Sequence, residues 1–217
     1  RAPQTLPKSS GGAIGSSPAV PPPSALAHGV ALDDPPAGYA LRNLDHYKEF
    51  AARVLDGEPV RITGHAPWLS ALPQSPAAKL EIVVTDRDIE GSPTRLVYHT
   101  RTLAMGVGCE RGTDAAEIDT LIRETLAAHG LSPQGVAVFA SIDVKADEAA
   151  LQALGRFRFF PAEELNAVAD RVKNPSEIVR REVGTPSVAE AAALCAAGPG
   201  SELVVEKTKS ARATCAI

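Results

Sequence analysis

Residues 103–114, LAMGVGCERGTD, decide the fold. An apolar run, Leu103 to Val107, enters a glycine-rich turn at Gly106 to Gly112 and leaves it into a segment of helical period. Asp114 and Glu117 stand in capping-box relation, Ile118, Leu121, Ile122, Thr125 and Leu126 fall on one face, and Gly130 ends the run. Strand, tight turn, helix is the repeating unit of a layered α/β fold, and the rest of the chain repeats it. Val136 to Ala140 reads as an apolar strand closed by Ser141-Ile142-Asp143, with a short helix from about Asp147 to Leu154. Phe157 to Phe160 reads as a strand stopped by Pro161, and Ala162 to Ala169 as a helix. Asn174-Pro175-Ser176-Glu177 orders a cap, a first-turn proline and an N3 glutamate for a helix to Gly184. Ser187 and Glu190 repeat the capping box for a helix that stops at Gly198, and Glu202 to Glu206 and Arg212 to Ile217 read as strands around the turn KTKSA. The alternation predicts an α/β domain over residues 101–217, a mainly parallel sheet flanked by helices with an antiparallel edge at its end.

Upstream, residues 31–100 predict a smaller α/β unit. Asp45 is placed to cap a helix through about Leu55, with Gly57 as its stop. Val60 to Thr63, Leu80 to Val84 and Arg95 to His99 read as strands. Residues 1–30 are rich in Pro, Ser, Gly and Ala without an apolar period, and are expected to be a disordered tail or linker.

The bulk numbers exclude several functions. A formal charge of −4 and a pI near 5.8 carry no basic excess for nucleic acid. An aromatic content of 4% is too low for base-stacking platforms. No apolar run reaches the roughly 20 residues of a membrane span, and no signal-peptide pattern is present. The three cysteines, Cys109, Cys195 and Cys215, are widely spaced and suit neither a disulfide framework nor a zinc site, so a reducing cytoplasm is the expected compartment.

The turn itself satisfies neither nucleotide fingerprint. In GVGCERG the third glycine falls one residue late for G-x-G-x-x-G, and no Lys and hydroxyl follow Gly112. Gly106, Gly108 and Gly112 either expose backbone N–H groups to an anion beside a helix start or simply make a tight connection. Cys109, with Arg111 and the helix start beside it, has the setting of a lowered thiol pKa, but no histidine is spaced to serve it as a base, and a small residue filling a turn is the alternative. Ser141, Asp143, Lys145 and Glu148 bring a hydroxyl, acids and a base to the carboxyl end of a second strand, where open α/β sheets form their crevices; capping and solvation are the plainer reading. Asn166 either orients a ligand or caps a helix, and Lys207, Lys209 and Arg212 form a basic turn that can meet carboxylates or face water.

Taken together, MGVGCERGTDAAEIDTLIRETL, FASIDVKADEAAL, FFPAEELN, NPSEIVRREVGTPSVAEAAAL and ATCAI resemble, in that order, the C-terminal domain of the CbiG family of cobalamin-biosynthesis proteins and its shorter relative CobE. GVALDDPPAGYALRN and GEPVRI in residues 31–100 resemble the CbiG middle domain. The resemblance implies a corrinoid precursor as ligand and a hydrolase that opens the δ-lactone of cobalt-precorrin-5A and releases acetaldehyde; a CobE-like corrinoid carrier is the alternative. Lactone opening by water needs a general base and a stabilised oxyanion, and Asp143 or Glu148 is expected to serve as base or acid. Gly106, Gly108, Cys109, Arg111, Gly112, Ser141, Lys145 and Asn166 are the expected substrate-binding residues. No protein cofactor is expected, since cobalt enters with the substrate. Some family members are fused to a precorrin methyltransferase, so a fused or associated methyltransferase is the expected partner, and the start at Arg1 and end at Ile217 are expected to mark a piece of such a fusion. The helix after SIDVKADE is expected to be clipped by a shortened segment before Phe157.

Overall fold

The computed structural model describes residues 26–217. The expected tail lies mostly outside them, but its last residues do not belong to a tail. β1 (Leu26–Ala27) and β2 (Val30–Ala31) form a hairpin in which Ala27 and Val30 are buried. Its two-residue turn, His28-Gly29, takes positive φ at both positions (52° and 82°), the geometry that matches the twist of a tight hairpin. Histidine is one of the few residues with a side chain that adopts this conformation readily.

The upstream unit is a four-stranded sheet made of β3 (Tyr39–Leu41), β4 (Val60–Thr63), β5 (Leu80–Thr85) and β6 (Arg95–Thr100), in the order β3-β6-β5-β4. β4, β5 and β6 run parallel and β3 is antiparallel to β6. Between β3 and β4, α1 (Tyr47–Leu55) buries Tyr47, Phe50, Ala51 and Val54 against this sheet. Its N-cap is His46, and the Asp45 side chain does not cap it.

The downstream unit carries the predicted α/β layers. Its elements are β7 (Leu103–Cys109), α2 (Ala115–Ala128), β8 (Val136–Ile142), α3 (Ala149–Leu154), β9 (Phe157–Phe160), α4 (Ala162–Asn166), α5 (Glu177–Val183), α6 (Val188–Ala197), β10 (Thr208–Lys209) and β11 (Ala213–Ala216). The sheet order is β10-β11-β7-β8-β9; β7, β8 and β9 are parallel, and β11 and β10 form the antiparallel edge. α2 buries Ile118, Leu121, Ile122, Thr125 and Leu126, the face read from the period, and Asp114 caps it by accepting from Ala116 N at 3.0 Å. Glu117 does not fold back to complete a capping box. It accepts from Arg212 N at 2.7 Å and from Ser210 Oγ, tying the helix to the β10–β11 turn.

The other face is covered by α6, whose sequence VAEAAALCAA is nearly all small residues. The reason lies at Gly106. A Cβ there would sit 1.8 Å from Ala189 O and 2.6 Å from Ala193 N, so the helix backbone rests directly on β7. Gly106 and Gly108 are therefore strand residues that admit a helix, not members of the turn, which is confined to residues 110–113.

Several other boundaries differ from the sequence reading. Ser141 and Ile142 continue β8, and a 3-10 turn, Asp143–Lys145, precedes α3. α4 ends at Asn166. The cap of α5 is Ser176, which accepts from Val179 N, because Asn174 is drawn into bonds with Glu190 and Glu206 instead. Residues 202–206 are not a strand: Val204 and Val205 bond Ile217, and Lys207 N turns to Glu190, so the edge strand forms later, at Thr208–Lys209.

The two units join at the far end of α2. Asp88 N donates to Gly130 O at 2.9 Å, Arg87 Nη1 to His129 O at 2.9 Å, and Ser132 N to Asp86 O at 2.8 Å. Asp88 N and Arg87 thus satisfy carbonyls that the end of α2 leaves open, the third bond runs the other way, and Arg87 suits the negative end of the helix dipole.

The Gly106 contact predicts that Gly106→Ala destabilises the chain by about 1–3 kcal/mol, the cost of overpacking against backbone that cannot move aside. Chemical denaturation should show it as a lower midpoint; an unchanged midpoint would refute the close approach.

Candidate functional site

β7 and β8 are adjacent and parallel, so their carboxyl ends deliver two loops to one edge of the sheet. The loops are joined directly. Arg111 Nη1 pairs with Asp147 Oδ1 at 2.6 Å, Arg111 Nη2 donates to Val144 O at 2.6 Å, and Gly112 N donates to Glu148 Oε1 at 3.0 Å. The Arg111 hydrogen bond holds the Asp147 carboxyl below its ordinary range. From the other side Arg212 clamps the same loop, pairing with Glu110 Oε2 at 3.0 Å and donating to Gly112 O at 3.1 Å and Arg111 O at 2.6 Å.

Beside this edge opens a cleft of about 500 Å³, within the usual range for small-molecule sites. Its lining comes entirely from residues 108–214, hence from the downstream unit. α5 and the start of α6 give it apolar surface: Ile178, Val179, Val183 and Val188, joined by Ile142. Its charged lining is Arg111, Lys145, Lys207, Lys209 and Arg212 against Glu110 and Glu182, a basic excess inside a chain of net charge −4.

These cations are not equivalent. Arg111 and Arg212 are engaged in the loop contacts above. Lys207 Nζ donates to Asn174 O, and burial pushes its ammonium below the ordinary lysine range, against the opposing charge of Glu190. Lys209 is exposed. Lys145 is 9% exposed and, among the described residues, its ammonium has no hydrogen-bond or ion-pair partner, although the Asp147 carboxylate feels its charge. Its Nζ is not among the sealed side-chain atoms, so the stem is buried while the charge opens onto the cleft.

One buried carboxylate holds Lys207, in the lining, and residues 173–174, which lead to the lining residue Ser176. Glu190, fully buried on α6, accepts from Lys173 N and Asn174 N at 2.9 Å, Asn174 Nδ2 at 2.9 Å and Lys207 N at 3.0 Å. Burial would raise its pKa, but the hydrogen bonds from Asn174, Lys207 and Lys173 outweigh it and hold the carboxyl below the ordinary range. The S-x-x-E spacing made Glu190 visible as a capping partner; its role as a hub depends on segments 16 and 17 residues away. Glu182 and Ser187, also in the lining, carried no distinguishing sequence signal as site residues.

Of the residues singled out from sequence, Gly108, Cys109, Arg111, Lys145 and the basic turn of Lys207, Lys209 and Arg212 line the cleft. The others lie outside its lining. Gly106 is under α6. The Gly112 amide is spent on Glu148, and Glu110 N on Arg212 O, so neither N–H is free for an anion. Ser141 is buried and donates to Val107 O at 2.7 Å, locking β8 to β7. Asp143 is exposed and accepts from Val144 N in its own turn, while Glu148, 6% exposed, is the loop brace. Asn166 donates to Gly184 O at 2.7 Å and so tethers the end of α5, the capping alternative. Cys109 is the last residue of β7 and stands six residues before α2. Burial raises its thiol pKa, with Glu148 adding, and the charges of Lys145, Arg111 and Arg212 do not reverse it; the expected thiolate setting is absent. No histidine lines the cleft. Among the described residues no cluster of His, Cys, Asp and Glu is arranged to hold a metal ion, and no helix is long and apolar enough to cross a membrane.

The fold and cleft define an α/β domain with a basic crevice at the carboxyl edge of its sheet. The chain belongs to the family described as Cobalamin synthesis G C-terminus, whose model matches residues 103–217. It is 42% identical over 120 residues to protein CobE of Sinorhizobium sp, covering 53% of this chain and 78% of that protein. It is 34% identical over 161 residues to a cobalt-precorrin-5A hydrolase of Priestia megaterium, covering 69% of this chain and 42% of the relative's length. A crystal structure of CobE, from the cobalamin (vitamin B12) biosynthetic pathway, superposes with a TM-score of 0.50 at 36% identity, over 52% of this chain and 87% of the other. The chain is a protein of cobalamin biosynthesis.

Two expectations follow from the site. Glu190→Gln should cost about 2 kcal/mol near neutral pH by breaking a buried bond network. Because the folded carboxyl is depressed, its stabilisation is present above the unfolded value of about 4.3 and is lost as pH falls through the folded one, so the gap between wild type and variant should narrow in acid. Urea titrations from pH 7 to pH 3 measure it, and a gap that widens would contradict the assignment. Cys109→Ala should leave ligand affinity and turnover within about tenfold, about 1.4 kcal/mol, where a nucleophile would lose thousands-fold.

Proposed function

We propose that the cleft binds a corrin-ring precursor of cobalamin through the carboxylates at the ring's periphery, with cobalt arriving inside the ligand and no cofactor held by the protein. The observation that carries this reading is the composition of the cleft: five basic side chains and an apolar α5 surface in one recess of a cobalamin-biosynthesis domain. A flat apolar ring with acidic side chains asks for that combination. A precorrin methyltransferase, fused or associated, is the partner the family resemblance implies. Titration with cobyrinic acid, followed by the corrin absorption bands, tests the binding; affinity should fall steeply with salt as the cations are screened. An unchanged spectrum at millimolar ligand would refute it.

A second reading, lactone opening of cobalt-precorrin-5A, is favoured by one further fact. A match to the Priestia hydrolase over 69% of the chain cannot fit within residues 103–217, so it extends into the upstream unit, which the CobE match does not require. Water adds to the lactone carbonyl and the ring C–O bond breaks to leave a carboxylate and an alcohol; the alcohol then loses its proton as its C–C bond to the macrocycle breaks, the electron pair and a proton stay with the macrocycle, and the two-carbon fragment leaves as acetaldehyde. Asp143 and Glu148, the acid and base expected from sequence, are outside the lining, and Glu110 is paired with Arg212; Glu182 is the remaining carboxylate in the cleft and takes the base role in this reading. Lys145 faces the developing oxyanion. With enzymatically prepared cobalt-precorrin-5A, Glu182→Gln should lower acetaldehyde release about 100-fold or more while cobyrinic acid still binds. Full turnover by that variant would remove Glu182 from the role, and no acetaldehyde from wild type would leave binding as the function.

A further inference from the structure

We infer that Lys145 and the Ser187-headed start of α6 are two built-in carboxylate anchors, and that they make the cleft select free carboxylates over amides on the ring periphery. The inference rests on the cleft being the corrinoid site. Four of its five cations have their electrostatic needs met: Arg111 by Asp147, Arg212 by Glu110, Lys207 by a backbone carbonyl, and Lys209 by water. Lys145 is the exception, a buried stem carrying an unpaired ammonium into the cleft. Such a charge stays costly until an anion pairs with it.

Ser187 supplies an independent observation. It occupies the N-cap of α6, a helix of 10 residues, with the extended backbone of a capping residue (φ −157°, ψ 124°), yet its hydroxyl caps nothing. The residue is 1% exposed and borders the cleft, and its Oγ is covered without a partner, so it meets a ligand carboxylate by turning about χ1. Glu190, which would complete a capping box, is turned away to Lys173, Asn174 and Lys207. The start of α6 therefore has the positive end of a helix dipole, no side-chain cap and an unused hydroxyl. Both anchors stand at the end of β7. A Cβ on Gly108 would meet Val188 at 3.3 Å, which places the first residue of α6 over that glycine, and the charge of Lys145 is felt at the next residue, Cys109.

A carboxylate satisfies both anchors: it pairs with the ammonium, and it accepts from the hydroxyl beside a helix start. An amide brings no charge to Lys145 and offers it only a neutral carbonyl oxygen, a weaker acceptor than a carboxylate. Ligand amidation is thus read at these two points, while the apolar lining treats the rings alike.

Equilibrium titrations of the full chain at low salt test this with three probes: cobyrinic acid, whose side chains are free acids; cobinamide, in which they are amides; and citrate, a polycarboxylate without the ring. Cobyrinic acid should bind about 10- to 100-fold more tightly than cobinamide, the range of charge-assisted bonds. Lys145→Met should erase most of that preference and leave cobinamide affinity near wild type. Ser187→Ala should weaken cobyrinic acid about fivefold or more without affecting cobinamide, in line with one lost hydrogen bond. If Lys145→Met does not fold, Ser187→Ala and the wild-type ligand comparison carry the test. Equal affinity of wild type for the two corrinoids, a folded Lys145→Met that keeps the preference, or citrate competing as well as cobyrinic acid would each overturn the anchors. Binding of both corrinoids with equal affinity would spare the corrinoid site itself; binding of neither would reject both.

Discussion

The downstream unit depends on the backbone contact between α6 and β7. A helix normally stands off a sheet by the thickness of two side-chain layers. Here Gly106 removes one layer and the alanines of α6 nearly remove the other, so Ala189 O and Ala193 N lie where a Cβ would be. Gly108 extends the same track to the first turn of the helix, beneath Val188. The close approach fixes where α6 begins: at the carboxyl edge of the sheet, with Ser187 against the cleft. It also drives Glu190 into a fully buried position, where it must find donors, and it finds them on the two chain segments that enter α5 and β10. One small-residue contact thereby sets the floor of the cleft and, through Glu190, the placement of its sides.

The electrostatics follow a division of labour. The charges that brace the loops are exposed and mutually paired, Arg111 with Asp147 and Arg212 with Glu110, and each guanidinium also takes backbone carbonyls in a fixed planar geometry. Such exposed pairs add little stability alone, but they hold register between loops. Lysines are left for the cleft, and the one most removed from water, Lys145, has no partner within the protein among the described residues. An acidic chain can thus present a basic recess without a basic composition. The upstream unit stays out of this arrangement; it docks on the last turn of α2, whose first turn is at the cleft end.

Local chemistry was legible in the sequence wherever a residue acts on its own neighbours. The buried face of α2 follows from a period of 3.6, Asp114 from its position before that helix, and the strand–helix alternation of residues 103–217 from apolar runs broken by Gly and Pro. The parallel sheet and antiparallel edge needed nothing beyond that. What the sequence could not determine was which partner a polar side chain would choose when two were within reach. Glu117 and Glu190 have capping-box spacing, yet both leave their own helix ends, for the β10–β11 turn and for residues 173, 174 and 207. Glu148 looked like an acid at a crevice and is a brace; Cys109 looked like a thiol beside a helix start and lies in a strand, where burial outweighs nearby charge. Gly106 and Gly108 looked like a turn because a glycine that admits a helix and a glycine that admits a positive φ are the same letter. The tertiary structure decided between them because hydrogen bonding, burial and close approach depend on distances between segments that sequence spacing does not encode.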